Sequence, residues 1–213
     1  MTTSSRYWRR RYYDVFSLFY DSFIRIHARK DESGTRAFLA DSAGLSHFNA
    51  PLGLDICCGT GAVPLTLAGF YPQGVFVGYD FSRGMLRAAR GKQGAGRIVF
   101  VQGNAAVLPF PGDTFHAVSC SHALYELKGG DRSRALKEMK RVVRRDGIVL
   151  IMEHEAPPGA LAAFMFRLRL KAMGSADAKE FVESGLAPFR EVFPSVLLRQ
   201  SPSGRSKLIC CRK

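Results

Sequence analysis

The chain carries five cysteines, Cys57, Cys58, Cys120, Cys210 and Cys211, but no Cys-X-X-Cys pair. An odd count with two adjacent pairs fits neither a disulfide framework nor a zinc pattern. Each cysteine lies in or beside an apolar, strand-like run, where a reduced thiol packs as a small hydrophobe. A reducing compartment follows as an expectation. Long hydrophobic runs are also missing: none approaches the ~20 residues of a membrane-spanning helix. The first residues, "MTTSSRYWRRRYYDVF", lack the continuous apolar stretch and small-residue cleavage site of a secretory signal. The expected location is therefore cytoplasmic. Acids are scarce, 18 against 31 lysines and arginines, for a net charge of +13. Such a surface attracts nucleic acid, anionic lipid headgroups or phosphorylated substrates, or serves solubility alone.

What is present suits one globular domain with a sizeable core: 213 residues, 46% of them hydrophobic. Within "RYWRRRYYDVFSLFYDSFIRIHARK" (6–30), Phe16, Phe19, Phe23 and Ile26 recur at helical spacing and predict a helix with one apolar face. Short apolar runs then alternate with helical patterns. Strands are expected at 52–56, 75–80, 97–103, 115–120 and 148–154. Helices are expected at 62–70, 82–90 and 131–145, the last capped by Asp131 and stopped by Gly147. For 161–173 a helical reading competes with a strand reading. Residues 175–186 look helical, and "SVLLRQ" and "SKLICC" around "SPSG" form a hairpin signature. The β-α alternation predicts an α/β fold: a Rossmann-like, doubly wound, seven-stranded sheet, mostly parallel with a C-terminal antiparallel hairpin. One domain spans 1–213. It divides into an N-terminal helical cap (1–45), a cofactor-binding core (50–155), a substrate-side helical segment (156–190) and the hairpin (191–213).

The stretch "GLDICCGTGAVPLTLAGF" (53–70) is a strand, a glycine turn and a helix, the first crossover of a nucleotide-binding fold. Glycine lets backbone approach a ligand, and the helix N-terminus favours negative charge. Gly59 and Gly61 fill the first two positions of GxGxxG, but the third is Pro64, so the dinucleotide fingerprint fails. Asp80 ends the next strand, about 20 residues on, where an acid can bind both ribose hydroxyls. Asn104, in "GNAAVLPF", could accept a hydrogen bond from an adenine amino group.

Taken in order, "LDICCGTGAVPLTLA", "GYDFSRGMLRAAR", "GNAAVLPFPGDTFHAV" and "LKEMKRVVRRDGIVLIME" resemble the motifs of class I S-adenosylmethionine-dependent methyltransferases. They look most like the ubiquinone/menaquinone biosynthesis C-methyltransferase branch. The resemblance covers about residues 50–155, with a looser match at "YYDVFSLFYD". It implies S-adenosylmethionine as cofactor and S-adenosylhomocysteine as product. By that resemblance Asp55, Gly59 and Gly61 face the methionine part, and Asp80 holds the ribose. Phe81 and Met85 lie beside the adenine, and Asn104 and Ala105 recognise its edge. Cys120 lines the cofactor wall and Tyr13 closes over it. The chain departs from the branch after the fourth strand, where it has "SHALYEL", and beyond residue 155.

The carboxyl ends of the strands place His122, Tyr125 and His154 where they could touch a methyl acceptor. A histidine can take a proton from a phenol or an activated ring carbon near neutral pH. The ordinary alternative is a histidine bonded to backbone or to a cofactor carboxylate. Glu153 and Glu155 point to the strand face opposite His154, which argues against a metal cluster, and no metal is expected. The expected function is methyl transfer to a small lipophilic acceptor: a quinol precursor, a phenol or a phospholipid amine. If the basic segments 6–30 and 161–173 cover the site mouth, they suit an acceptor at a membrane surface. Otherwise both pack on the core with their arginines in water. Two alternatives stay open. An RNA methyltransferase would use the charge, although the chain lacks an Asn/Asp-Pro-Pro-aromatic motif and a catalytic CxxC. A methyltransferase-like binding protein without turnover is permitted by the altered acceptor loop.

Overall fold

The computed structural model describes residues 11–14, 17, 32–92, 97–127, 130–155, 181, 184–204 and 206–213. Short β-branched and apolar runs bounded by glycine, proline and aspartate become the strands. These are β1 (Leu52–Ile56), β2 (Val75–Asp80), β3 (Arg97–Gln102), β4 (Phe115–Ser121), β5 (Val143–His154), β6 (Ser195–Gln200) and β7 (Ser206–Arg212). The segments with a periodic apolar face become α1 (Glu32–Ser42), α2 (Ala62–Phe70), α3 (Arg83–Gly91), α4 (Gly130–Val142) and the short α5 (Ala187–Arg190). One seven-stranded sheet runs β3-β2-β1-β4-β5-β7-β6. β1 to β5 are mutually parallel, and β7 is antiparallel to both β5 and β6. The chain steps outward from β1 to β2 and β3, then returns to place β4 on the other side of β1. That reversal opens a crevice at the carboxyl ends of β1 and β4, where ligands of such sheets bind.

Both sheet faces are covered. Leu54, Ile56, Val118, Val149 and Ile151 pack against Leu136 and Met139 of α4 and against Phe189 and Phe193. On the other face Phe76, Leu150 and Met152 meet Leu39 and Ala40 of α1 and Val63 and Leu67 of α2. Strands buried on both faces read as continuous apolar runs, which is why "IVLIM" in β5 shows no alternation. Among the described residues, no helix is long and apolar enough to cross a membrane.

Two expectations change. α4 ends at Val142, and Gly147 lies inside β5 rather than stopping the helix. Val143 pairs with Phe115 and Ile148 with Ala117, so residues 144–147 bulge out between two ladder contacts. At Gly147 a Cβ would come within 2.8 Å of the His116 carbonyl oxygen, so the strand rejoins β4 only where there is no side chain. Asp131 sits in the first turn of α4, after Gly130, and pairs with Arg134 instead of capping. The expected hairpin forms, closed by the Ser201 N–H on the Ser206 carbonyl at 2.9 Å. Most of the expected helix at 6–30, all of 161–173 and most of 175–186 lie outside the described residues, while residues 11–14 and 17 are helical.

Candidate active site

β1 delivers the chain to the crevice, and three residues with positive φ turn it back: Cys57 (54°), Gly59 (54°) and Gly61 (80°). The two glycines serve different ends. A Cβ on Gly61 would lie 2.9 Å from Phe100 and 3.0 Å from Ala89, so this glycine is required by packing against β3 and α3. Among the described residues, a Cβ on Gly59 would meet nothing within 4 Å. That glycine leaves backbone open to the crevice.

Asp80, at the end of β2, ties the turn down. The Gly59 N–H donates to Asp80 Oδ2 at 2.9 Å, and the Ser82 N–H donates to Oδ1 at 2.8 Å. Burial pushes the Asp80 pKa up to about 6, against the pull of these two bonds. Asp55 is buried one strand away, and Ser119 Oγ donates to its Oδ1 at 2.6 Å. Burial raises the Asp55 pKa to about 8; the Ser119 bond opposes this and the Asp80 charge adds to it. Two carboxyls of one type are thus separated by environment, with the ionised form favoured at Asp80.

Phe81 follows Asp80, and the Tyr13 ring stands edge-on to it at 5.6 Å. Met85 is buried in the first turn of α3, its N–H donating to the N-cap hydroxyl of Ser82 at 3.2 Å. Asn104 uses its side-chain oxygen locally, accepting from the Ala106 N–H at 3.0 Å, so it shapes the turn that buries Ala105. That oxygen keeps a second lone pair as acceptor capacity. Cys120 departs most from expectation. It is fully enclosed in the core beside Cys57 and pairs with Ile151 of β5, so it backs the site rather than lining it.

The three residues expected to touch an acceptor come together. His122 leaves β4 with φ 51°, its N–H donating to the Met152 carbonyl at 2.7 Å. That bond carries the β4–β5 ladder one residue further and swings the imidazole onto His154. The two rings stack at 4.1 Å with 24° between planes, and the Tyr125 ring lies 5.9 Å from His154. Glu153 faces away from His154, as strand alternation requires. It is 2% exposed, and neither carboxylate oxygen has a well-formed hydrogen bond among the described residues. Burial pushes its pKa up to about 8, against the opposing influence of Lys207 and Arg132.

Four site residues escaped the sequence reading. Ser119 and Glu126 are met only through tertiary contact, the latter as acceptor for the Tyr13 hydroxyl. Ser82 carried a signal, since a serine just ahead of an amphipathic helix is an N-cap. Asp14, next to Tyr13, carries no local signal, since its partners Ser82 and Gly84 are met only in the fold.

A methyltransferase-domain family model matches residues 54–147. A demethylmenaquinone methyltransferase of Bacillus licheniformis is 36% identical over 158 residues, spanning 70% of this chain and 67% of the relative. One of Deinococcus radiodurans is 32% identical over 183 residues, spanning 81% of this chain and 74% of the relative. Against several Geobacillus relatives of the same name the chain spans 58% of their length. Human N-acetylserotonin methyltransferase, solved in complex with S-adenosylmethionine, has a similar fold, with a TM-score of 0.65 at 17% identity. That match covers 84% of this chain and 51% of the human one.

Proposed function

This chain belongs to the class I S-adenosylmethionine-dependent methyltransferases, and from that premise we propose that it methylates a small lipophilic acceptor of the quinol class. S-adenosylhomocysteine is the second product. The reading draws on the names of its relatives, demethylmenaquinone methyltransferases. The observation that carries it is a juxtaposition: the Gly59–Asp80 clasp and the stacked His122–His154 pair occupy the same carboxyl edge of one sheet.

The residues fit the cofactor. Gly59 is open on its crevice side, and the Asp80 oxygens keep lone pairs for two ribose hydroxyls beyond the two backbone bonds. Asp55 and the Gly59–Gly61 turn take the methionine end. Phe81 and Met85 flank the adenine, Asn104 and Ala105 meet its edge, and Tyr13 closes over it. The bound sulfonium supplies an electrophilic methyl group, and the protein's work is positioning and exclusion of water.

On the acceptor side, an imidazole of the His122–His154 pair accepts the phenolic proton at a ring nitrogen, which enriches the acceptor ring in electrons. The stacking contact fixes both rings in one orientation. Tyr125 lies buried beside them, with its ring 5.9 Å from that of His154. The net charge of +13 supports work at an anionic membrane surface on the cytoplasmic side, where a lipophilic quinol resides.

The test offers radiolabelled S-adenosylmethionine with a panel of quinols, simple phenols, phosphatidylethanolamine and bulk RNA. Label is expected in the quinol fraction. Label in RNA alone, or in none of the four, overturns the reading.

A further inference from the structure

α3 begins without an acid of its own in the first turn. Its N-terminus is completed from far away in sequence. Asp14 Oδ1 accepts from Ser82 Oγ at 2.7 Å and from the Gly84 N–H at 2.9 Å. A carboxylate there satisfies a backbone donor that the helix leaves orphaned, and its charge suits the helix dipole. The contact is close. A Cβ on Gly84 would lie 2.5 Å from Ser17 Oγ and 2.6 Å from the Asp14 carbonyl oxygen, so only glycine admits the N-terminal segment. Ser17 Oγ donates to that carbonyl at 2.7 Å and stiffens the turn that presents Asp14.

The neighbouring Tyr13 shows where this anchoring leads. Its ring stands against Phe81, which follows β2, and its hydroxyl donates to Glu126, which follows β4. β1 lies between those two strands in the sheet. Tyr13 therefore crosses the crevice above the glycine turn. The anchor also reaches the turn itself: Ser82 donates its hydroxyl to Asp14 and its N–H to Asp80, and Asp80 accepts from the Gly59 N–H.

We propose that Asp14 is a positioning residue that latches Tyr13 over the cofactor site, coupled to it through the chain Asp14–Ser82–Asp80–Gly59. This rests on the functional reading above, because the ligand that tightens the chain is the one held by Asp80. Coupling of this kind is reciprocal: a ligand on Asp80 steadies Asp14, and Asp14 steadies the ligand.

The test uses the full chain, with S-adenosylhomocysteine as the ligand, amide hydrogen exchange over residues 11–17 and titration calorimetry. In the wild type the ligand is expected to slow exchange there about 10-fold or more, a protection of the size that local opening equilibria span. Asp14→Ala is expected to abolish that slowing and to weaken binding about 10-fold, the loss of one charge-assisted contact. Asp14→Asn keeps the accepting oxygen and is expected to restore most of both effects. A residue that merely stabilised the fold would leave the ligand-dependent slowing in place. Gly84→Val attacks the same contact from the helix side and is expected to behave as Asp14→Ala. Wild-type affinity with retained slowing in Asp14→Ala overturns the latch alone. No ligand binding by the wild type overturns the functional reading and the latch with it.

Discussion

The two halves of the crevice are built by different means. On the β1–β2 side, each carboxylate at the site meets a dedicated donor: Asp80 takes two backbone N–H groups and Asp55 takes Ser119. On the β4–β5 side His122 bonds through its N–H to Met152 and its ring stacks on His154 with Tyr125 nearby, while Glu153 lies buried without a well-formed hydrogen bond among the described residues. The first half is preorganised by short hydrogen bonds, which hold one geometry and suit one ligand. The second combines a backbone bond with ring stacking, a contact that tolerates small shifts.

The largest effect expected from breaking that division is on the preorganised side. Gly61→Val forces a branched side chain into φ 80° and into Phe100, and should cost about 3–4 kcal/mol of stability. Gly59→Ala meets no atom of the described residues within 4 Å and should cost only about 1–2 kcal/mol of left-handed strain. Urea unfolding of the two variants separates the glycine the fold needs from the one the ligand needs. On the adaptable side, His154→Phe keeps a ring for stacking but removes the proton acceptor. Methyl transfer should fall about 100-fold while S-adenosylhomocysteine affinity is unchanged. A parallel fall in that affinity would show that the halves are not independent.

The last effect concerns Glu153 and depends on pH. Its pKa is raised from 4.5 to about 8, so the native state holds the proton more tightly than the unfolded chain. That contribution is fully present below pH 4.5 and is lost as pH rises through about 8. Glu153→Gln should match the wild type in thermal midpoint near pH 4.5 and exceed it at pH 8.5. Parallel pH profiles for the two proteins would contradict this.

The cofactor half was legible in sequence because its parts are local. "LDICCGTG" carries a strand and its turn together, "VFVGYD" ends on its acid, and each strand predicted there begins and ends within a residue of its observed limits. β5 was misread at its start because "VVRRDG" continues a helical pattern, and pairing of Val143 with Phe115 outweighed it. The gathering of His122, Tyr125 and His154 followed from topology, since parallel strands deliver their carboxyl ends to one edge. Their stacking did not, because it depends on the positive φ at His122. Asp14 was illegible for a similar reason: its partners, Ser82 and Gly84, lie about 70 residues away and meet it only in the folded chain.

The central claim is that Asp80 grips the adenosyl cofactor while holding the glycine turn. Titration calorimetry of S-adenosylhomocysteine into wild type and Asp80→Ala, with folding of both checked by circular dichroism, tests it most directly. The expected result is saturable binding by the wild type and a loss of about 100-fold in the variant, from two hydrogen bonds to a charged group. Equal affinity in two folded proteins would contradict the account.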